Sequence, residues 1–308
     1  MYKVLLNPFS LPIPRAVQFR TLHTVTMAPN PNARQPLKLL MLHGYTQSGT
    51  LFHAKSRALT KHIQKAFPLH EVTAIYPTGP LRLRPSEIPG YEPSSEGQPD
   101  TDDIEAYGWW RRSNTANPPL YTGIEDGFAA VAETMKLEGP FDGVIGFSQG
   151  AAMAAMVAAL LEGRKETFKY FASMTEDGAS GMSIPTPFGD ADFQHPPLKF
   201  ALCYSGFRAP GARYKAFYEP AITTPVLHIL GSLDAVVEEA RSRALIEACS
   251  GEPEKDGSVV WHPGGHFLPS QRPYLDAAVR FIREQMERGE GKGKKVEEVD
   301  VNDMDMPF

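Results

Sequence analysis

A doubly wound α/β fold, with a mostly parallel sheet and helices on both faces, is what this chain predicts, and three observations carry the prediction. Apolar runs at 37–43, 143–147, 199–204 and 226–230 are continuous rather than alternating, which marks strands covered on both sides. Segments with helical spacing stand between such runs. Strand, helix and strand then alternate along the chain without an internal repeat, the order that builds parallel crossover units.

The elements follow in sequence. The strand 37–43 runs into Gly44-Tyr45-Thr46-Gln47-Ser48-Gly49, and Leu51, Phe52, Leu59, Ile63 and Phe67 space out a helix over 51–67. A strand at 71–76 closes the first crossover. From 77 to 117 the pattern dissolves into Pro, Gly, Ser and acids, ending near Tyr107-Gly108-Trp109-Trp110. A loop this long is uncommon and is expected over the carboxyl edge of the sheet. A helix at 124–137 leads into the strand 143–147, and an alanine-rich helix runs on to about 161. A second irregular stretch, 175–197, precedes the strand 199–204. The strand 226–230, a helix near 235–248, a strand at 258–261 and a last helix at 273–286 complete the domain, 27–287.

The two ends differ from this core. Residues 1–26 carry Lys3, Arg15, Arg20 and His23 but no acid, the first acidic residue of the chain being Glu71. Such a leader resembles a mitochondrial transit peptide, yet Pro8, Pro12 and Pro14 interrupt the helix one needs. The simpler reading is an unstructured extension before Met27 and a cytoplasmic protein, with a mitochondrial location as the alternative. The tail 288–308 mixes charge with glycine and is expected to be disordered.

Composition narrows the partners. With 308 residues and 42% hydrophobic content the chain can bury a large core. A net charge of −5 argues against nucleic acid or an anionic membrane as the main partner. No segment reaches the apolar length of a membrane span. Cys203 and Cys249 read as buried free thiols rather than a disulfide, and no metal-ligand spacing occurs, so neither metal nor cofactor is expected. Asp100, Asp102 and Asp103 read as a solvated acidic loop, with no histidine or cysteine nearby.

The chemistry centres on Gly146-Phe147-Ser148-Gln149-Gly150, placed between a strand and a helix. A serine hydroxyl that attacks a carbonyl must stand clear of its own backbone, and a sharp strand-to-helix turn with flanking glycines achieves this. A serine nucleophile needs a base and an acid to orient it, held at the same sheet edge. Asp234, in Gly231-Ser232-Leu233-Asp234, follows one later strand, and His266, in the glycine loop Gly264-Gly265-His266, follows the next. The order Ser, Asp, His is that of the α/β-hydrolase fold. Oxyanion donors are expected from the backbone N–H groups of Gln149 and Tyr45. Asp234 could instead cap the following helix, and His262 is the rival base. His43 is expected to order the first loop rather than move protons. Trp109 and Trp110 divide evenly between core and substrate-binding wall.

These residues resemble the fungal family of serine hydrolases, often called FSH, whose animal relatives include the ovarian-cancer-associated protein 2 type. The resemblance rests on the segment from Leu42 to Gly49, on Tyr107-Gly108-Trp109-Trp110-Arg111, and on the run from Gly139 to Ala152. It continues through Cys203-Tyr204-Ser205-Gly206-Phe207, Gly231-Ser232-Leu233-Asp234 and Gly264-Gly265-His266. It implies an α/β-hydrolase with a triad on Ser148, Asp234 and His266, acting on a small-molecule ester or thioester. In some fungal members the resemblance points to secondary-metabolite pathways, and to an acyl chain carried on a protein. A thioesterase and a non-catalytic binding protein on the same fold are the alternatives. The loop 175–197 departs from the family core and is expected to influence substrate choice.

Overall fold

The computed structural model describes residues 34–90, 105–113, 115–163, 169–171 and 181–293. The leader 1–26, the acids Asp100, Asp102 and Asp103, and the tail beyond 293 lie outside the described residues.

Among the described residues the four continuous apolar runs and two edge segments form one all-parallel six-stranded sheet: β1 (Gln35–Leu42), β2 (His70–Ile75), β7 (Gly143–Phe147), β8 (Phe200–Tyr204), β9 (Val226–Gly231) and β10 (Val259–His262). Among the described residues between β2 and β7 lie four two-residue strands, β3 (Leu81–Arg82), β4 (Tyr107–Gly108), β5 (Arg111–Arg112) and β6 (Tyr121–Thr122). The sheet order is β10-β9-β8-β7-β1-β2, so the chain leaves β1 in one direction and returns to lay β7 on its other side. That reversal opens a crevice beyond the carboxyl ends of β1 and β7, where open parallel sheets bind ligands.

Among the described residues the sheet is covered by α1 (Gly49–Ala66), α2 (Ile124–Glu138), α3 (Gln149–Leu161), α4 (Glu239–Glu247) and α5 (Arg272–Gly293). Side-chain alternation along each strand divides the core into two layers. Leu37, Leu39 and Met41 of β1 join Phe52, Ile63, Ala278 and Ile282 from α1 and α5. Leu40 and Leu42 join Phe128, Val131 and the buried alanines of α2 and α3 on the other face. Every residue of α3 is buried, and its small side chains let the helix lie close against the strands.

Local differences from the sequence expectation have physical causes. The stretch 77–117 is partly ordered: β3 pairs antiparallel with β4, β5 pairs with β6, and Gln47 bridges to Tyr107. The ladders are too short for a periodic signal. As expected, this region follows a strand and reaches the carboxyl edge. Helix α4 begins at Glu239, later than 235, because Asp234 first closes a turn with its own side chain. Helix α5 runs through Gly293, past the point where a disordered tail was expected to begin. An unanticipated 3₁₀ segment, Ala212–Phe217, buries Tyr214 and Phe217 against the α2 layer.

Candidate active site

Ser148 leaves β7 with φ 54° and ψ −115°, a conformation non-glycine residues avoid. Its backbone is tied on both sides. The Ser148 N–H donates to the Tyr204 carbonyl at 2.8 Å, and its own carbonyl accepts from Ala151 and Ala152 at 3.0 and 3.1 Å. The crossing leaves no room for a side chain nearby: a Cβ on Gly150 would stand 2.1 Å from the Leu42 carbonyl oxygen. The hydroxyl is thereby held off the backbone at the start of α3.

Register brings the other two residues to it. A Cβ on Gly231 would meet the Gly264 and Gly265 carbonyls at 2.5 and 2.4 Å, so the end of β9 touches the glycine loop after β10. Leu233 N–H donates to the Gly264 carbonyl at 3.0 Å and extends that contact. The loop turns His266 back over the sheet edge. There its Nδ1 lies 2.8 Å from Asp234 Oδ2 and its Nε2 lies 2.9 Å from Ser148 Oγ. A carboxylate only accepts, so Nδ1 carries the proton and Nε2 offers its lone pair to the serine. The Phe147 ring, 4.9 Å away, packs on the imidazole.

Asp234 divides its two oxygens between two tasks. Oδ1 accepts the N–H groups of Val236 and Val237, both at 2.9 Å, while Oδ2 takes the histidine. Burial alone would raise this carboxyl, but the N–H bonds from Val237 and Val236 and the His266 contact outweigh it and hold it below the ordinary range. The carboxylate is therefore fixed as an anion. The helix-cap alternative resolves into a turn that orients the same side chain.

Among the described residues, the backbone N–H groups of Tyr45 and Gln149 find no protein acceptor, as oxyanion donors must. The Gln149 side chain secures the wall behind them: Oε1 accepts from Trp109 N–H at 2.7 Å and Nε2 donates to the Trp110 carbonyl at 2.9 Å. The Trp109 indole N–H in turn donates to the His43 carbonyl at 2.9 Å. His43 accepts from Gly79 N–H through Nε2 and donates through Nδ1 to the Gly44 carbonyl, which fixes its neutral tautomer. Burial lowers its pKa to about 4 against the smaller opposing effect of the Gly44 bond. It orders the first loop, as expected.

Two expectations need correction. Trp109 and Trp110 do not wall the substrate cleft; they are 0% and 1% exposed and sit in the core, because Gln149 draws their backbone inward. The described part of the loop 175–197 does not reach the cleft either. Met182 N–H donates to the Arg213 carbonyl at 2.9 Å, Phe188 packs on Phe128 of α2, and His195 accepts the Phe141 N–H, so the described part runs along the α2 layer and none of it lines the cleft at Ser148. His262 is buried away from the serine, between Phe267 and Tyr274. Cys203 and Cys249 are buried free thiols, both raised in pKa by desolvation, Cys249 to about 12.

A cleft of about 490 Å³ opens on Ser148 and His266. Tyr45 and Gln47 of the first loop, Phe52 of α1, Phe147, and Phe267 and Leu268 after the histidine form its walls. Sequence reasoning placed Tyr45 at the site for its backbone N–H and assigned none of the other residues to the wall. Phe267 and Leu268 were within reach, since they adjoin His266, whereas Phe52 reads as an ordinary core position of an amphipathic helix. Among the described residues no His, Cys, Asp and Glu group is arranged to hold a metal, and no helix is long and apolar enough to cross a membrane.

Comparison with known proteins supplies the remaining observations. The serine hydrolase (FSH1) family profile matches residues 33–278. A Schizosaccharomyces pombe protein named dihydrofolate reductase is 33% identical over 251 residues, which cover 80% of this chain and 47% of that protein. The Danio rerio esterase OVCA2 is 33% identical over 264 residues, covering 80% of this chain and 98% of the relative. The chain thus spans about half the length of the first relative and nearly all of the second. In fold it is similar to the crystal structure of Zea mays acyl-protein thioesterase 2, with a TM-score of 0.51 at 21% identity, covering 83% and 96% of the two chains.

Proposed function

The chain belongs to the FSH1 family of serine hydrolases, and we propose that it cleaves carboxylic esters of small or medium acyl substrates through an acyl-enzyme on Ser148. The hydrogen-bonded series Asp234, His266, Ser148, at 2.8 and 2.9 Å, carries this reading. Ser148 Oγ attacks the acyl carbon while His266 Nε2 takes its proton, and Asp234 stabilises the imidazolium. The N–H groups of Tyr45 and Gln149 receive the developing oxyanion. His266 then returns the proton to the leaving oxygen, and a water molecule repeats the sequence to free the acid. The esterase name of the Danio rerio relative supports the ester as substrate. A thioester, free or carrier-bound, is the second reading, because the hydroxyl and oxyanion donors act on the acyl carbon and no described cleft residue selects oxygen over sulfur.

A fluorophosphonate probe tests the assignment. Labelling is expected in the native protein and absent from Ser148→Ala, while folded native protein that takes no label would leave a binding role in its place. His266→Ala is expected to lower turnover by about three orders of magnitude or more, and His262→Ala by far less. Acyl nitrophenyl esters and acyl thioesters of matched chain length, compared by kcat/KM, separate ester from thioester. Two buried free thiols suit a reducing compartment, of which the cytoplasm is the proposed site of action and the mitochondrion the alternative. Imaging of fusions with and without residues 1–26 tests that.

A further inference from the structure

Resting on the hydrolase reading, we propose that the cleft selects substrates bearing an anionic group, carboxylate or phosphate, several bonds from the scissile carbonyl, and that Lys55 reads it. The walls beside Ser148 are apolar: Phe52, Phe147, Phe267 and Leu268 desolvate a hydrocarbon segment near the reacting carbon. Lys55 also lines this cleft. It is the one permanent charge among the described lining residues, and no Asp or Glu stands with it. Elsewhere Lys38, Lys136, Lys199, Lys215 and Lys255 pair with carboxylates, while Lys61, Lys65 and Lys169, which among the described residues form no ion pair, do not line this cleft. Lys55 makes no ion pair or hydrogen bond among the described residues.

Helix geometry gives the position a purpose. Phe52 and Lys55 stand three residues apart on α1, on one helix face, so the lysine stem continues the apolar wall that the phenyl ring begins. The ammonium then lies at the solvent end of that wall. A protein of net charge −5 repels anions at long range, and a cation at this mouth reverses the local sign where substrate enters. The anionic group belongs either to the far end of the acyl chain or to the leaving group, and both present the same chemistry to Lys55.

Three esters distinguish the cases: nitrophenyl hexanoate, the nitrophenyl half-ester of adipic acid, and carboxy-nitrophenyl hexanoate. The readout is the ratio of kcat/KM for each anionic ester to that for the neutral one. For the preferred anionic ester this ratio is expected to fall about fivefold in Lys55→Met and further in Lys55→Glu, the size of an exposed charge pair. The effect is expected to fade as salt rises from about 20 mM to about 0.5 M. A loss confined to the adipate places the anion on the acyl side, and one confined to the carboxy-nitrophenyl ester places it on the leaving group. Ratios that stay within about twofold for both variants overturn the proposal while leaving the hydrolase reading intact. Absence of Ser148-dependent turnover of all three esters removes both.

Discussion

Ser148 joins backbone strain and the proposed nucleophile in one residue. Its positive φ is held by hydrogen bonds at its N–H and carbonyl, so the rest of the fold supports a conformation that the residue alone avoids. Buried side chains elsewhere in the core are held in one protonation state, and this has a consequence in pH. His43 and His228, with pKa values lowered to about 4 and about 3 by desolvation, are neutral in the folded protein and charge more readily when unfolded, near 6.5. Between those values the unfolded chain binds more protons, so stability falls as pH drops from 6.5 toward 4. His43 alone accounts for about 3 kcal/mol by pH 4. Denaturant midpoints measured across this range should decline steadily, with a shallower slope in His228→Val; a flat profile would contradict the neutral buried assignment. Asp234 acts in the opposite part of the scale: its lowered pKa keeps its contribution intact until the pH falls below the ordinary carboxylate value.

At the scale of elements, the first turn of α3 and the strand β4 behave as one unit through Gln149. This side chain satisfies the Trp109 N–H and the Trp110 carbonyl, and Trp109 holds the carbonyl of His43, two residues before Tyr45. Gln149→Ala leaves two buried backbone groups without partners and is expected to cost about 3 kcal/mol. Turnover of a nitrophenyl ester is expected to fall about tenfold with it, because the Tyr45 N–H, the proposed oxyanion donor of the first loop, loses its fixed position. Unchanged stability and kcat in that variant would mean that the loop orders itself without the clamp. The sequence placed Gln149 at the site for its backbone alone. Nothing in the order of residues showed that its side chain would reach Trp109, forty positions away in the chain.

The described domain is built on one six-stranded sheet with a core layer on each face. Phe128 and Ile282 are each 0% exposed and belong to opposite layers. Because both layers share the strands, Phe128→Ala and Ile282→Ala are each expected to lower stability by about 2–5 kcal/mol while preserving one cooperative transition. Two separated transitions by circular dichroism would show that the layers unfold independently. Much of this architecture was legible: four of the six strands announce themselves as continuous apolar runs, the two edge strands are less buried and show only shorter apolar signals, and the serine, acid and histidine follow the ends of three of the six. Trp109 and Trp110 were not legible, since a tryptophan pair suits a core and a cleft equally well, and neither were Phe52 and Lys55, whose spacing states only that they share a helix face. By itself the sequence determined the parallel sheet, the elbow and the chain order of the triad, because hydrophobic periodicity and glycine placement are local properties. Only the tertiary structure decided which side chains face the acyl group. Strand order and register bring together loops far apart in sequence, and the cleft exists only where they meet.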